Sequence, residues 1–148
     1  MRFVIIGGGP AGNQAASHAA RLGATVTLIE RDVVGGAAHL WDCIPSKAMI
    51  ASGGAMAFVR RSGGMGLSQS AAAEVDLEGM KRRIADIEER LHRSVVGLLV
   101  DQGVRIIAGK GRLAGAHQVV ATTVDGVEEE IEADAVLLAT GSRPRIPD

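Results

Sequence analysis

The stretch Phe3-Val-Ile-Ile-Gly-Gly-Gly-Pro-Ala-Gly12 decides the fold of this chain of 148 residues. Its apolar run predicts a buried strand that stops at the glycines, and the residues Ala11 to Leu22 predict a helix directly after it. A second apolar run, Thr25 to Ile29, ends in the acidic residue Glu30. A strand, Gly-x-Gly-x-x-Gly, a helix, a second strand and an acid in this order predict a Rossmann-like α/β unit that binds a dinucleotide.

Each glycine of this motif has a physical role in that interpretation. Gly7 permits the tight turn after the strand, Gly9 lets a pyrophosphate approach the backbone, and Gly12 lets the helix lie close to the strand. The predicted helix begins at Ala11, and its N-terminus presents free N–H groups and a positive dipole end to phosphates. The alternative interpretation is an ordinary tight turn with no ligand.

The acid after the second strand predicts the sugar contact. Glu30 can accept hydrogen bonds from a ribose hydroxyl, and a ribose 2′-phosphate there would meet a like charge. Arg31, its neighbour, weakens that discrimination. The motif alone also leaves open whether the dinucleotide is FAD or NAD.

Composition excludes several other classes of protein. The chain is 47% hydrophobic and 22% charged, which predicts a globular domain. Its net charge of −1 and its 2% aromatic content give no reason to expect nucleic acid or a membrane surface as a partner. The single cysteine excludes an internal disulfide framework and favours a cytoplasmic location. No signal peptide is expected, because the N-terminus leads directly into a strand without a charged and then apolar leader. No membrane span is expected, because no apolar run approaches the roughly 20 residues that one needs.

Two helices are predicted downstream of the motif. Pro45 suits the first turn of a helix over Ser46 to Arg61, whose many small residues predict a neighbour packed close to its backbone. Ser62 to Ser70 predicts a mobile surface loop. Asp76 is expected to cap an amphipathic helix of about seven turns that ends near Gly103.

The last third of the chain predicts mainly strands, and the acidic run Glu128 to Glu130 is interpreted as an exposed strand edge without a metal site. The predicted elements are a short strand Val104–Ala108, a turn Gly109-Lys-Gly111, a hairpin of Gln118–Val124 and Val127–Glu132 around Asp125-Gly126, a buried strand Ala135–Ala139, and a linker from Ser142 to Asp148.

A second motif, Gly35-Gly-Ala-Ala-His-Leu-Trp-Asp-Cys-Ile-Pro-Ser-Lys47, holds the most specific chemistry. Together with the opening motif it resembles the FAD domain of the pyridine nucleotide-disulfide oxidoreductases. In that family Gly-Gly is followed by two cysteines separated by four residues, then by an apolar residue and Pro-Ser-Lys. Cys43 matches the second cysteine, whereas Ala38 stands at the first. The segment Ala139 to Pro144 matches the family's loop near the flavin.

The resemblance implies that residues 1–148 are the N-terminal part of a Rossmann-like FAD-binding domain, with a parallel sheet and an inserted β-meander. A linker near 142 would lead to an NAD(P)-binding domain, and NAD(P)H would be the co-substrate of a homodimeric intact enzyme. The 148 residues alone are expected to be inactive. The cofactor contacts implied are Gly7, Gly9, Pro10, Ala11, Gly12, Glu30, Arg31, Gly35, Gly36, Lys47, Gly111, Ala139, Thr140 and Gly141.

Ala38 decides which acceptor the resemblance implies. Alanine cannot form the redox disulfide, so a thiol–disulfide relay within this chain is excluded. The motif resembles a subgroup that lacks the first cysteine and reduces quinones with NAD(P)H. Two alternatives stay open: a dihydrolipoyl dehydrogenase-like enzyme that uses another thiol, and a nucleotide-binding module without turnover.

Cys43 and Lys47 are the candidate catalytic residues. Cys43 lies at a predicted helix start, where a thiolate is favoured, so it either faces the flavin as a thiolate or is an inert buried residue. Lys47 follows one turn later on the same face and, by resemblance, lies near the reactive flavin nitrogen. Trp41 either lines an acceptor pocket or packs in the interior. The histidines receive no role.

Overall fold

The computed structural model of the chain describes residues 1–66, 74–142 and 145–146, with the backbone alone at residue 39. Parts of two predicted segments, the loop Ser62–Ser70 and the linker Ser142–Asp148, lie outside the described residues. The elements are β1 Arg2–Ile6, α1 Pro10–Arg21, β2 Thr25–Glu30, a π-helix Ala38–Asp42, α2 Cys43–Arg61, a 3₁₀ helix Ser62–Met65, α3 Leu77–Asp101, β3 Arg105–Gly115, β4 Gln118–Thr123, β5 Glu128–Glu132 and β6 Ala135–Leu138.

The six strands form one curled sheet in the order β5-β4-β3-β2-β1-β6. β1 pairs in parallel with β2 and with β6, and β2 pairs in parallel with β3. β3, β4 and β5 pair in antiparallel fashion and form a meander. The predicted Rossmann-like α/β fold with a parallel sheet and an inserted β-meander is confirmed.

The structure corrects the prediction for the segment around Gly109. We expected a short strand, Val104 to Ala108, followed by a turn at Gly109-Lys-Gly111, but β3 runs unbroken from Arg105 to Gly115. Its first part pairs with β2 and its second part with β4. β3 therefore carries the chain from the parallel sheet into the meander.

The two glycines of this segment let the strand lie close to other strands. An ideal Cβ on Gly109 would lie 2.2 Å from the carbonyl oxygen of Thr122, and one on Gly111 would lie 3.0 Å from the side chain of Ile6. Glycine inside a strand is typical of such a close approach. The predicted turn was wrong because these glycines serve packing across the curled sheet.

The alternation of apolar residues along the central strands fills a core on each face of the sheet. The core beneath the meander contains Val4, Ile6, Ile29, Ile107, Val119, Ala121 and Ala133. The core beneath α1 and α3 contains Ile5, Ala16, Val26, Leu28, Val34, Leu99 and Val104. Successive residues of one strand thus pack into the two different cores, on opposite faces of the sheet. A shift of one residue would exchange the two sets, so the register of β1 is fixed up to the glycine turn.

The long amphipathic helix confirms its prediction. α3 begins after Asp76, whose carboxylate accepts a hydrogen bond from the Gly79 amide at 2.9 Å, and it ends at Asp101. The hairpin around Asp125-Gly126 is also confirmed, because β4 and β5 pair on either side of it.

Two packing predictions are wrong for the described residues. α2 begins at Cys43, and none of its residues is buried. An ideal Cβ on Gly53 or Gly54 would meet no neighbouring atom within 4 Å, so these two glycines face open space. β6 was expected to be a buried strand, but it is an edge strand, and Leu138 is 57% exposed.

Exposed ion pairs connect the start of β1 to the strands around it. The backbone amide and the guanidinium of Arg2 both donate to Asp134, and the guanidinium also donates to Glu132. The amide hydrogen bond, followed by the guanidinium, holds the pKa of Asp134 below its usual range. In the described part of the chain, no helix is both long and apolar enough to cross a membrane.

Candidate functional site

The glycine turn lies where the carboxyl ends of β1, β2 and β6 meet. Gly7 adopts a φ of +110°, and an ideal Cβ there would lie 2.2 Å from the carbonyl oxygen of Ala139. An ideal Cβ on Gly12 would lie 1.9 Å from the carbonyl oxygen of Gly7. These two glycines are required by the fold itself, because a side chain at either position would collide with backbone.

Gly9 has a different environment. It precedes the first helical residue of α1, Pro10, and an ideal Cβ on it would meet nothing within 4 Å. No side chain caps this helix, no acidic residue lies in its first turn, and its first backbone bond runs from Asn13 to Gly9. The amides of Ala11 and Gly12 therefore have no acceptor within the helix, so they are available to an anion in the open space at Gly9.

Glu30, at the end of β2, is held by the backbone around it. One carboxylate oxygen accepts from the amide of Gly8 at 2.6 Å, and the other accepts from the amide of Asp32 at 2.8 Å. Each oxygen keeps a further lone pair for a ligand hydroxyl. Arg31 turns its guanidinium to Asp32, with Nε at 3.1 Å from the carboxylate.

The second sequence motif folds back onto this turn. The amide of Gly35 donates to the carbonyl of Gly8 at 2.8 Å. An ideal Cβ on Gly36, whose φ is +68°, would lie 2.6 Å from the Cα of Gly9. The buried Leu40 packs against Gly35 and anchors the segment that follows. The two motifs, which are separate in sequence, thus form the walls of one site.

The segment before Cys43, Ala38–Asp42, is a π-helix. The amide of Cys43 donates to the carbonyl of Ala38, five residues earlier. Cys43 is exposed, so its interpretation as an inert buried residue is wrong, and Trp41 is 58% exposed, so interior packing is wrong for it as well.

The remaining predicted residues lie at different distances from the turn. Ala139 donates its amide to the Ile6 carbonyl at 2.8 Å, which brings the segment Ala139-Thr140-Gly141 beside Gly7. Gly111 packs on Ile6, the last residue of β1. Lys47 is exposed on α2, one turn after Cys43.

Sequence reasoning missed two supports of the site. Gly8 was interpreted only as part of the motif. In the structure its amide donates to the Glu30 carboxylate, and its carbonyl accepts from the Gly35 amide. His92 of α3 was given no role, yet its Nδ1 lies 2.9 Å from the carbonyl oxygen of Val34. The partners are 58 residues apart, so no local pattern could have indicated the contact.

The described residues hold no alternative metal site, and one cavity lies away from the glycine turn. No group of three or more His, Cys, Asp or Glu in residues 1–66, 74–142 and 145–146 could hold a metal ion. A cavity of about 330 Å³ lies between Phe3 of β1 and the α1 residues Ala15, His18 and Ala19, and Ala24, next to the start of β2, also lines it. It is at the opposite end of the strands from the glycine turn.

The family comparison covers the whole chain. The model of the family described as pyridine nucleotide-disulphide oxidoreductase matches residues 1–148. Members of that family are flavoproteins that use FAD and NAD(P)H.

Individual relatives carry two different names. A protein of Mycobacterium tuberculosis named NAD(P)H dehydrogenase (quinone) is 40% identical over 98% of this chain and 31% of its own length. A dihydrolipoyl dehydrogenase of Zymomonas mobilis is 35% identical over 97% of this chain and 30% of its own length. The chain thus spans about a third of the length of each of these two relatives.

Solved structures agree with the fold. The crystal structure of LpdA from Mycobacterium tuberculosis matches 99% of this chain and 33% of its own, with a TM-score of 0.88 and 38% identity. The flavoprotein disulfide reductase RclA from Escherichia coli matches with a TM-score of 0.81 at 23% identity, which supports the fold alone.

Proposed function

Since the chain belongs to the pyridine nucleotide-disulphide oxidoreductase family, we propose that it binds FAD at the glycine turn and serves an enzyme that passes electrons from NAD(P)H to a quinone. When bound, FAD would supply the redox chemistry, which is the acceptance of a hydride and the transfer of its electrons to the acceptor. The chain's own residues bind the cofactor, orient it and set its charge environment.

The residues present fit this cofactor. The open space at Gly9 and the unpaired amides of Ala11 and Gly12 suit a pyrophosphate. The free lone pairs of Glu30, whose carboxylate is already oriented by two amides, suit the hydroxyls of a ribose. A diphosphate and a ribose next to each other are the parts that FAD shares with other dinucleotides, and the family favours FAD among them.

The flavin ring is proposed to lie along the second motif. Lys47 is exposed on the face that it shares with Cys43, and its ammonium would offset negative charge on the ring. Trp41, exposed two residues before Cys43, is a candidate for the acceptor side. Gly111 and the segment Ala139 to Gly141 are proposed to border the cofactor from the meander and from β6.

The identity of the acceptor rests on Ala38. The carbonyl of this residue accepts from the amide of Cys43, and the residue occupies the position of the family's first cysteine, so these 148 residues supply no second thiol for Cys43. A dithiol relay to a disulfide substrate needs two sulfurs. A quinone takes electrons directly and needs none. The 40% identical relative named NAD(P)H dehydrogenase (quinone) supports this choice.

A dihydrolipoyl dehydrogenase remains the second candidate, because a 35% identical relative carries that name. We expect the full-length protein to oxidise NADH or NADPH with menadione as acceptor and to show no turnover with lipoamide. Steady-state assays with each acceptor, on protein free of other dehydrogenases, measure this directly. Robust lipoamide reduction would contradict the proposal, and failure with both acceptors would favour a nucleotide-binding module without turnover.

Glu30→Ala is expected to weaken FAD binding by about 1–3 kcal/mol, the range for lost hydrogen bonds to a charged group. The loss has two sources, because the variant removes the ribose acceptor and also frees the amides of Gly8 and Asp32. The dissociation constant from a flavin absorbance titration checks the magnitude. Glu129→Ala, which breaks an exposed pair with Arg105 on the meander, is the matched control and should leave FAD affinity unchanged.

A further inference from the structure

We propose that His92 is a positioning residue that holds the loop Val34-Gly35-Gly36 against the glycine turn, an inference that rests on the proposed FAD site. His92 lies on α3 and is half-buried, with Nδ1 at 2.9 Å from the carbonyl oxygen of Val34. A carbonyl only accepts hydrogen bonds, so Nδ1 carries the proton and donates. The ring is thereby fixed between the helix and the loop.

The loop needs an external support because its own backbone is permissive. Gly35 and Gly36 have φ values of +121° and +68°, conformations that glycine adopts without a side chain to restrict them. The side chain of Val34 is buried in the core beneath α3, which anchors one end. His92 fixes the carbonyl of that same residue, so the direction in which the chain leaves Val34 is set from α3.

That direction determines the shape of the site. The Gly35 amide donates to Gly8, and the α-carbon of Gly36 lies so near Gly9 that a Cβ would come within 2.6 Å of it. Gly8 in turn donates to Glu30. A change at His92 therefore reaches the space for the pyrophosphate and the orientation of the ribose acceptor without removing any group that touches either.

The test compares three variants. His92→Leu removes the donor, His92→Asn places an amide nitrogen near the position of Nδ1, and His117→Leu is the matched control. His117 also has Nδ1 at 3.1 Å from a backbone carbonyl, that of Ala133, but this contact lies where the meander meets β6. A general loss of stability would affect both leucine variants, whereas loss of positioning would affect His92→Leu alone.

The first readout is FAD affinity. We expect His92→Leu to raise the dissociation constant about tenfold, which corresponds to about 1.4 kcal/mol and to one net hydrogen bond. His92→Asn should restore the dissociation constant to within about threefold of the parent value, which corresponds to a loss of less than half of that binding free energy. His117→Leu should leave it unchanged. Equal effects of the two leucine variants, or no rescue by asparagine, would overturn the inference.

The second readout needs no cofactor. In the protein without FAD, hydrogen exchange of the amides of Gly35 and Gly36 should be faster in His92→Leu than in the parent, and His92→Asn should restore the parent rate. Unchanged exchange in His92→Leu would refute the positioning role. If the parent itself fails to bind FAD, the proposed function is wrong, and so is the effect of His92 on cofactor binding. The exchange data would still decide whether His92 holds the loop.

Discussion

Gly9→Val is expected to abolish FAD binding and to leave the fold intact. Gly9 has a φ of −74° and a ψ of −172°, an extended conformation in which a β-branched residue is comfortable. An ideal Cβ would meet nothing within 4 Å, so the added side chain occupies only the space proposed for the pyrophosphate. Losing two charge-assisted hydrogen bonds to the diphosphate would weaken binding at least about 100-fold, or about 2.7 kcal/mol.

The measurements are the flavin content of the purified protein and the melting temperature of its cofactor-free form. Gly97→Val is the matched control, because Gly97 on α3 also has open space around its Cβ position. Gly12→Val is the opposite case, since its Cβ would lie 1.9 Å from the Gly7 carbonyl oxygen and should lower stability as well as binding. If Gly9→Val purified as yellow as the parent, the FAD assignment would be wrong.

These three glycines show which parts of the site could be predicted from the sequence. The motif named Gly7, Gly9 and Gly12 together, because their spacing is a local pattern that follows from the strand-to-helix turn. The structure agrees with the separate roles predicted for them, because a Cβ on Gly7 or Gly12 would collide with backbone, whereas one on Gly9 would meet nothing within 4 Å. The group that a Cβ on Gly7 would meet belongs to Ala139, which comes from the far end of the chain, and no local pattern contains that contact.

The strands show the same limit. β1, β2, β4 and β5 were predicted because alternation and turn residues are local signals. β3 was predicted too short, since the role of Gly109 and Gly111 inside it depends on Thr122 and Ile6. The exposure of α2 was missed for a related reason: small residues permit close packing, but they do not show that a neighbour is present.

The π-helix was beyond sequence reasoning because it differs from an α-helix only in that its backbone hydrogen bonds join residues five apart instead of four. Residues 37–42 contain no signal that separates the two. Its consequence is nevertheless chemical, since it brings Ala38 and Cys43 into register through the bond from the Cys43 amide to the Ala38 carbonyl. The residues between them form the π-helical turn, in which the side chain of Leu40 is buried and that of Trp41 is exposed.

That register predicts that Ala38→Cys will form a disulfide with Cys43. Residues joined by an i to i+5 hydrogen bond lie one turn apart on the same face of the helix, near the separation that a disulfide requires. Oxidation by diamide, which takes up the two electrons and two protons of the thiols, should remove both from titration with Ellman's reagent. Ala37→Cys, one residue out of register, is the matched control and should keep both thiols free.

The consequence for activity follows from the same geometry. If the flavin lies along the second motif, the new disulfide stands where the family keeps its redox pair, and NADH added to the oxidised full-length variant should regenerate two thiols per chain. In the parent, Ala38 and the exposed Cys43 form no disulfide at this position. Two free thiols after diamide would refute the register, whereas a disulfide that forms but resists NADH would show that the flavin lies elsewhere.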